Sequence, residues 1–408
     1  MGKHIVIVGG GAAGFFAAIT CAETHSDYKV TILERSPNLL SKVKISGGGR
    51  CNVTHACFDS RPLTKNYPRG EKQLLGPFTR FNPTHTIEWF KSRGVSLKTE
   101  ADGRMFPVTD NSQTIINCFL VEARRLGVNV ETQIGVDDLV PPSANDGSAK
   151  WLVITTTGNP IKADAVIVAA GSSARVWSML GGLGLQIVQP VPSLFTFNIN
   201  DPRIKGLEGL SVEMAMVSVV GTKLKNEGPL LITHWGMSGP GILRLSAWGA
   251  RALAEMNHQF EIEVNWTGNH PTAEVIEDIK QVKRRQAKKS VMANPLFNIP
   301  RRLWERLSAF ITLNKPLFNY ADLSNKQIEQ LGRELAGGRY KVTGKSTFKD
   351  EFVTAGGIDL NEIDFKTMQS KKLPDLYFAG EVMDIDAITG GFNFQLAWTS
   401  GWIAGTSV

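Results

Sequence analysis

The chain has 408 residues, 42% of them hydrophobic, with 40 glycines, 19 prolines and a formal net charge of +7. That length and apolar content fit a soluble globular protein with a large core split into two or three domains. Four cysteines (Cys21, Cys51, Cys57, Cys118) without a CxxC pair exclude a zinc ribbon or a thioredoxin-type dithiol and fit a reducing cytoplasm, and no stretch offers the roughly 20 uninterrupted apolar residues of a spanning helix.

Residues 5–34 read as a βαβ unit. A β-branched strand, Ile5–Val8, leads into Gly9-Gly-Gly-Ala-Ala-Gly14; Ala12–Ala22 suits a helix, and Lys29–Glu34 is a second strand ending in an acid. Gly9 allows the tight turn, Gly11 lets the backbone approach a pyrophosphate, Gly14 lets helix and strand pack, and Glu34 suits a ribose hydroxyl. Glu34 leans against a 2′-phosphate, although Arg35 follows it. The run Ile5–Ala22 holds four glycines and lacks a basic flank, which argues against a signal peptide.

Next come a Gly/Ser/Asn-rich loop (46–54), a helix at 84–93, the segment Gly103–Pro107, a helix at 112–125 and a third core strand near Val128–Glu131. Residues 134–163 alternate like a small antiparallel meander with its tip at 141–147, and Ala165–Gly171 reads as a buried parallel strand stopped by glycine. From Pro192 short alternating strands such as Ser211–Val219 predict an antiparallel, barrel-like insert. Helices near 271–283, 300–310 and 324–335 predict a helical subdomain within it. Strand texture returns at 340–354, and Leu376–Glu381 and a glycine-opened helix (391–404) close the chain. The expected fold is α/β: a discontinuous Rossmann-like FAD-binding domain (1–190 and 345–408), a β-barrel-like insert (191–270 and 336–344) and a helical subdomain (271–335).

The ends of the other strands favour FAD over a nicotinamide cofactor. Val166–Gly171 resembles the strand that packs near the pyrophosphate in glutathione-reductase-type FAD domains. Leu376–Glu381 resembles their C-terminal element, where an acid after glycine meets the ribityl or pyrophosphate region. The helix after Gly390-Gly391 would aim its N-terminal amides at electron-rich flavin oxygens. No second GxGxxG follows another strand, so NADH or NADPH would bind transiently as a co-substrate.

Lys44-Ile-Ser-Gly-Gly-Gly-Arg-Cys-Asn52, Gly103–Pro107, Thr233–Pro240, Val353–Ile358 and Gly380–Gln395 together resemble the bacterial BaiN/RdsA-type NAD(P)/FAD-dependent oxidoreductases, end to end. The resemblance implies a Rossmann-type FAD domain, a β-barrel-like insert and a helical subdomain, with members assigned as steroid ene-reductases and as amine oxidases. The chain departs from the family at Ala387, usually Gly, and Phe392, usually Tyr. The expected cofactor-binding residues are Gly9, Gly11, Ala12, Ala13, Gly14, Glu34, Arg35, Lys42, Gly49, Arg50, Cys51, Asn52, Ala170, Gly171, Gly380, Glu381, Asp386, Gly391, Phe392 and Asn393.

Within this set, Gly47–Gly49 permit close backbone approach, and Arg50 and Asn52 can donate to phosphate or flavin carbonyls. Cys51 lacks a resolving partner and reads as a small packed residue. Asp384 and Asp386 read as turn and cap residues near the flavin rather than a catalytic carboxylate pair. His234, before the turn Gly236–Gly241, is the general acid/base candidate, with a turn-capping role as its alternative. The seven histidines and four cysteines do not cluster as metal ligands. The expected reaction is two-electron transfer through FAD to or from a small organic molecule: double-bond reduction with NAD(P)H or, alternatively, amine oxidation with O2. Lys280–Lys289 reads as a solvated helix end, with an RNA-binding or RNA-modifying protein as the alternative of another class.

Overall fold

In the computed structural model, residues 2–142, 150–309, 311–312, 317–346 and 353–408 are described below. The chain divides into two compact units, Met1–Val191 with Lys349–Val408, and Pro192–Phe348.

The first unit is built on a sheet whose parallel strands are β1 (His4–Val8), β2 (Lys29–Glu34), β3 (Asn129–Thr132), β4 (Ala165–Val168) and β5 (Leu376–Phe378), in the spatial order 3-2-1-4-5. Two short antiparallel strands, Gln369–Ser370 and Ile363–Asp364, extend it beyond β5. β1 lies at the centre, in register Ile5↔Ala165 on one side and Ile5↔Val30 on the other. Its Ile5, Val6 and Ile7 are fully buried, as a strand covered on both faces requires. The strand predicted near 128–131 is present as β3, but at the sheet edge, half-exposed. The meander forms from Val136–Val140, Trp151–Thr155 and Pro160–Ala163; most of its predicted tip, 143–147, lies outside the described residues.

Helix α1 (Ala12–Thr24) is buried from Ala13 to Ala22 and carries no charge before Glu23. It crosses the final helix, α2 (Phe392–Ser407), at close range. Gly401 and Gly405 make that possible: a Cβ on Gly401 would lie 2.8 Å from Ala13 O, and one on Gly405 2.5 Å from Ala17 O. An aromatic cluster fixes the crossing, with the Phe16 ring tilted 4.6 Å from Trp89 and Phe119 5.4 Å from Trp398.

The second unit is an antiparallel sheet in the order 338–342, 260–265, 211–219, 225–233, 236–238, 196–198, 344–346. Its first and last members are halves of one stretch interrupted only at Thr343: Phe260 pairs with Val342 on one side and Asn198 with Gly344 on the other. The sheet therefore closes on itself as a barrel, which removes its edges. Helices Thr272–Arg285, Arg301–Ala309 and Asn325–Gly337 share a single apolar core with the barrel: Ile279, Trp304 and Leu331 join Val217 and Ile262 in one buried cluster. Among the described residues no helix is long and apolar enough to cross a membrane.

Candidate functional site

The glycine loop after β1 has the shape of a ligand cradle. Gly9 sits at φ +114°, and a Cβ there would meet Ala169 O at 2.5 Å, so only glycine fits between β1 and the end of β4. Gly14 is closed off by Gly9 O in the same way. Gly11, between them, has nothing within 4 Å of where its Cβ would stand. Ala12 opens α1 and Ala13 starts its buried face, so the free amides of the first turn border that space.

Glu34, at the end of β2, accepts from Gly10 N–H and from Ser36 N–H, each at 2.7 Å. These bonds fix its carboxylate beside the loop while each oxygen keeps a second lone pair. Arg35 is exposed. Gly171, past β4, adopts φ +60° next to half-exposed Ala170, and its Cβ position is 3.8 Å from Glu381 Oε2. Gly380, at φ +74°, packs against Ala13 and donates to Ser400 Oγ at 2.9 Å. Glu381 accepts from Thr354 N–H at 3.1 Å and forms an ion pair with Lys42.

A second cradle follows the short helix at Ser41–Ile45. Gly47, Gly48 and Gly49 all take left-handed φ (+58°, +69°, +84°), and the Cβ positions of Gly48 and Gly49 meet nothing within 4 Å. The side chains after them are engaged within the protein. The Arg50 guanidinium lies 3.9 Å over the Phe106 ring and pairs with Glu100 and, at 2.7 Å, with Asp110. Cys51 is fully buried, and burial pushes its thiol up to about 12, so it carries no thiolate. The Asn52 amide, its oxygen turned toward α2, accepts from Gly391 N–H at 2.9 Å and donates to Thr54 O at 3.0 Å. In this loop it is the backbone that stands open to a ligand.

The start of α2 forms the third side. Gly391 (φ +92°) is its N-cap, Phe392 is buried, and the Asn393 side chain brackets Ala387, accepting from its N–H at 3.0 Å and donating to its carbonyl at 3.2 Å. Asp386 is fully buried and ion-paired with Arg69, which is itself largely buried. Asp384 is buried nearby, its N–H bonded to Ile358 O. Residue types alone did not single out Arg69, Tyr67, His55 or Gln395. Tyr67 is fully buried and donates to Phe392 O at 2.7 Å, and burial raises its phenol well above the ordinary range. His55 lies 4.6 Å from the Phe392 ring with Nδ1 at 3.0 Å from Gly390 O. Gln395 was hinted at only as a long polar side chain within the helix that closes the chain.

His234 belongs to the other unit. With Trp235 it forms the exposed two-residue turn between strands Lys225–Thr233 and Gly236–Ser238. The following helix, Pro240–Trp248, opens at Gly239.

A family model described as the HI0933-like protein Rossmann domain matches residues 3–407. The chain belongs to the HI0933-like family. Its relatives include a 3-dehydro-bile acid delta(4,6)-reductase of Clostridium scindens, 26% identical over 99% of this chain and 98% of the relative. A ribosomal RNA dihydrouridine synthase of Escherichia coli is also 26% identical, over 97% of this chain and 96% of its own length. Among solved structures, the 3-ketosteroid-delta4-(5alpha)-dehydrogenase of Rhodococcus jostii matches with a TM-score of 0.51 at 13% identity, covering 99% of this chain and 97% of that one, a likeness of fold. This HI0933-like chain is an FAD-dependent oxidoreductase with a Rossmann-type FAD domain. The open positions at Gly11, Gly48 and Gly49 fit such a cofactor, because a polyanionic dinucleotide needs backbone amides without intervening side chains.

Proposed function

We propose that the chain uses FAD, re-reduced by NADH or NADPH, to add two hydrogens across a carbon–carbon double bond conjugated to a carbonyl group. The observation that carries this reading is the end-to-end match to two relatives whose names both describe such an addition, in a 3-dehydro bile acid and in uridine. FAD, when bound and reduced by NADH or NADPH, would supply the hydride.

The chain's own residues hold and orient. The amides of Gly11 and the first turn of α1 would hold the pyrophosphate, and Glu34 would hold a ribose hydroxyl. Lys42, half-exposed and paired with Glu381, could exchange that carboxylate for phosphate. The α2 amides would stabilise charge that develops on flavin oxygens. A phenol at position 392 is absent, and the Tyr67 hydroxyl is spent on Phe392 O. The general acid/base candidate of the sequence, His234, is the proton donor to be tested.

A second reading, in which the double bond belongs to a base in RNA, is favoured by the distribution of charge. Residues 192–348 hold 21 Lys and Arg against 14 Asp and Glu, whereas the remainder has 24 of each, so the entire +7 excess lies in the barrel unit. On that unit Trp248 is 46% exposed, with Arg244 one turn before it and Arg251 one turn after.

One anaerobic experiment separates the readings. The yellow protein is reduced with NADH or NADPH, then mixed with an enone steroid, with ribosomal RNA, or with O2, and flavin absorbance is followed. Fastest reoxidation by the enone supports the first reading, and by RNA, with affinity falling steeply with salt, the second. Fast reoxidation by O2 alone overturns both in favour of an amine oxidase.

A further inference from the structure

Four consecutive residues, Asn52 to His55, are each hydrogen-bonded to the start of α2. The Asn52 oxygen accepts from Gly391 N–H, Val53 O accepts from Trp398 Nε1 at 2.8 Å, Thr54 Oγ1 donates to Gln395 Oε1 at 2.6 Å, and His55 Nδ1 meets Gly390 O. Gln395 is the hub. It is fully buried, and its oxygen takes a second hydroxyl, from Thr86 at 2.9 Å. Its amide nitrogen donates to Thr399 Oγ1 at 3.1 Å, and Thr399 Oγ1 in turn donates a hydrogen bond to Phe81 O at 2.9 Å.

A buried network of this kind is costly unless every member is satisfied, and here the oxygen fills both lone pairs with hydroxyls. Apolar residues would fill the same volume without that demand. The bonds instead give directional registration. They tie the Gly47–Cys51 loop, through the segment that follows it, to the first two turns of α2, and so fix the register of the loop against the helix start.

We infer that Gln395 is a positioning residue that sets the redox potential of the bound flavin, by holding the N-terminal amides of α2 against the glycine loop. The inference rests on the reading that the flavin lies at that helix start. Charge grows on the flavin oxygens when it is reduced, so amides held in place favour the reduced form, and amides that wander favour it less.

The test uses the FAD-loaded protein. Thr54→Val keeps the shape and removes one donor to Gln395, Thr54→Ser keeps the donor, and Gln395→Leu removes the hub. The midpoint potential of bound FAD is measured by equilibration with a reference dye, beside the melting temperature of each apo-protein. Thr54→Val is expected to lower the ratio of affinities for reduced over oxidised FAD about tenfold, a fall of about 30 mV for a two-electron couple. Gln395→Leu should lower it further, and Thr54→Ser should restore it. Lower melting temperatures with an unchanged potential would overturn the inference and leave a network that merely packs. Wild-type protein that binds no flavin would overturn this inference and the proposed function together. Wild-type protein that binds flavin but reduces neither enone nor RNA would sink only the latter.

Discussion

Gly11→Ala and Gly401→Ala make the same chemical change at two sites where the surroundings dictate opposite outcomes. At Gly401 the new Cβ would stand 2.8 Å from Ala13 O and 3.2 Å from Ala17 N, both backbone atoms that cannot rotate aside. Relief requires α1 and α2 to part by about half an ångström, and overpacking of this kind costs roughly 1–3 kcal/mol. Replacing a mid-helix glycine returns about 1 kcal/mol of helix propensity, leaving a net loss of up to about 2 kcal/mol. At a few degrees per kcal/mol, thermal melting of the apo-protein should fall by up to about 8 °C. At Gly11 the backbone is already extended (φ −91°, ψ −167°), and nothing stands within 4 Å of the new atom. The gain of about 0.4–1 kcal/mol from a stiffer unfolded chain is offset by the weaker N-cap, so the melting temperature should hardly move. The methyl would instead occupy the space reserved for the pyrophosphate. Loss of one hydrogen bond to a charged group is worth about 1.5–3 kcal/mol, a fall in FAD affinity of about 10- to 100-fold. Apo melting and FAD fluorescence titration of both variants check the pair. Wild-type FAD affinity in Gly11→Ala would refute the placement of the pyrophosphate, and a melt above wild type in Gly401→Ala would refute the backbone-limited crossing.

Arg69→Met should cost about 3–5 kcal/mol, because it removes the cation paired with the fully buried Asp386 carboxylate; the double variant Arg69→Met/Asp386→Leu should recover most of that in urea titrations. Burial pushes the thiols of Cys21, Cys51 and Cys118 up to about 12, so a disulfide reagent at pH 8 should spare these three until denaturant is added. The same shifts predict the pH trend. The folded thiols keep protons that the unfolded chain releases from about pH 9, the ordinary thiol range, so urea midpoints should fall as pH rises from 9 toward 12. His234→Ala is expected to slow flavin reoxidation by the accepted substrate without changing FAD affinity; unchanged rates would return His234 to a turn residue.

The nucleotide-binding half was legible because its determinants are local. Four apolar residues, three spaced glycines, a charge-poor helix and an acid at the end of the next strand each act within about 30 residues of one another, and such patterns survive in a one-dimensional reading. Helices at 272–285, 301–309 and 325–337 show the same legibility through their apolar period. Their joining with the barrel in one core was not legible, because Ile279 and Val217 meet only after the chain has folded. The same holds at the site. Arg50 looked free to meet a phosphate until Glu100 and Asp110 were brought to it, and Asp386 looked like a cap until Arg69 arrived from over three hundred residues away. Sequence alone thus determined the glycine cradle at Gly9–Gly14, since the backbone geometry those glycines permit is intrinsic to them. Tertiary structure alone decided which polar side chains are already spent and which amides stay open, because hydrogen bonds such as Thr54 to Gln395 join residues whose only relation is their position in the fold.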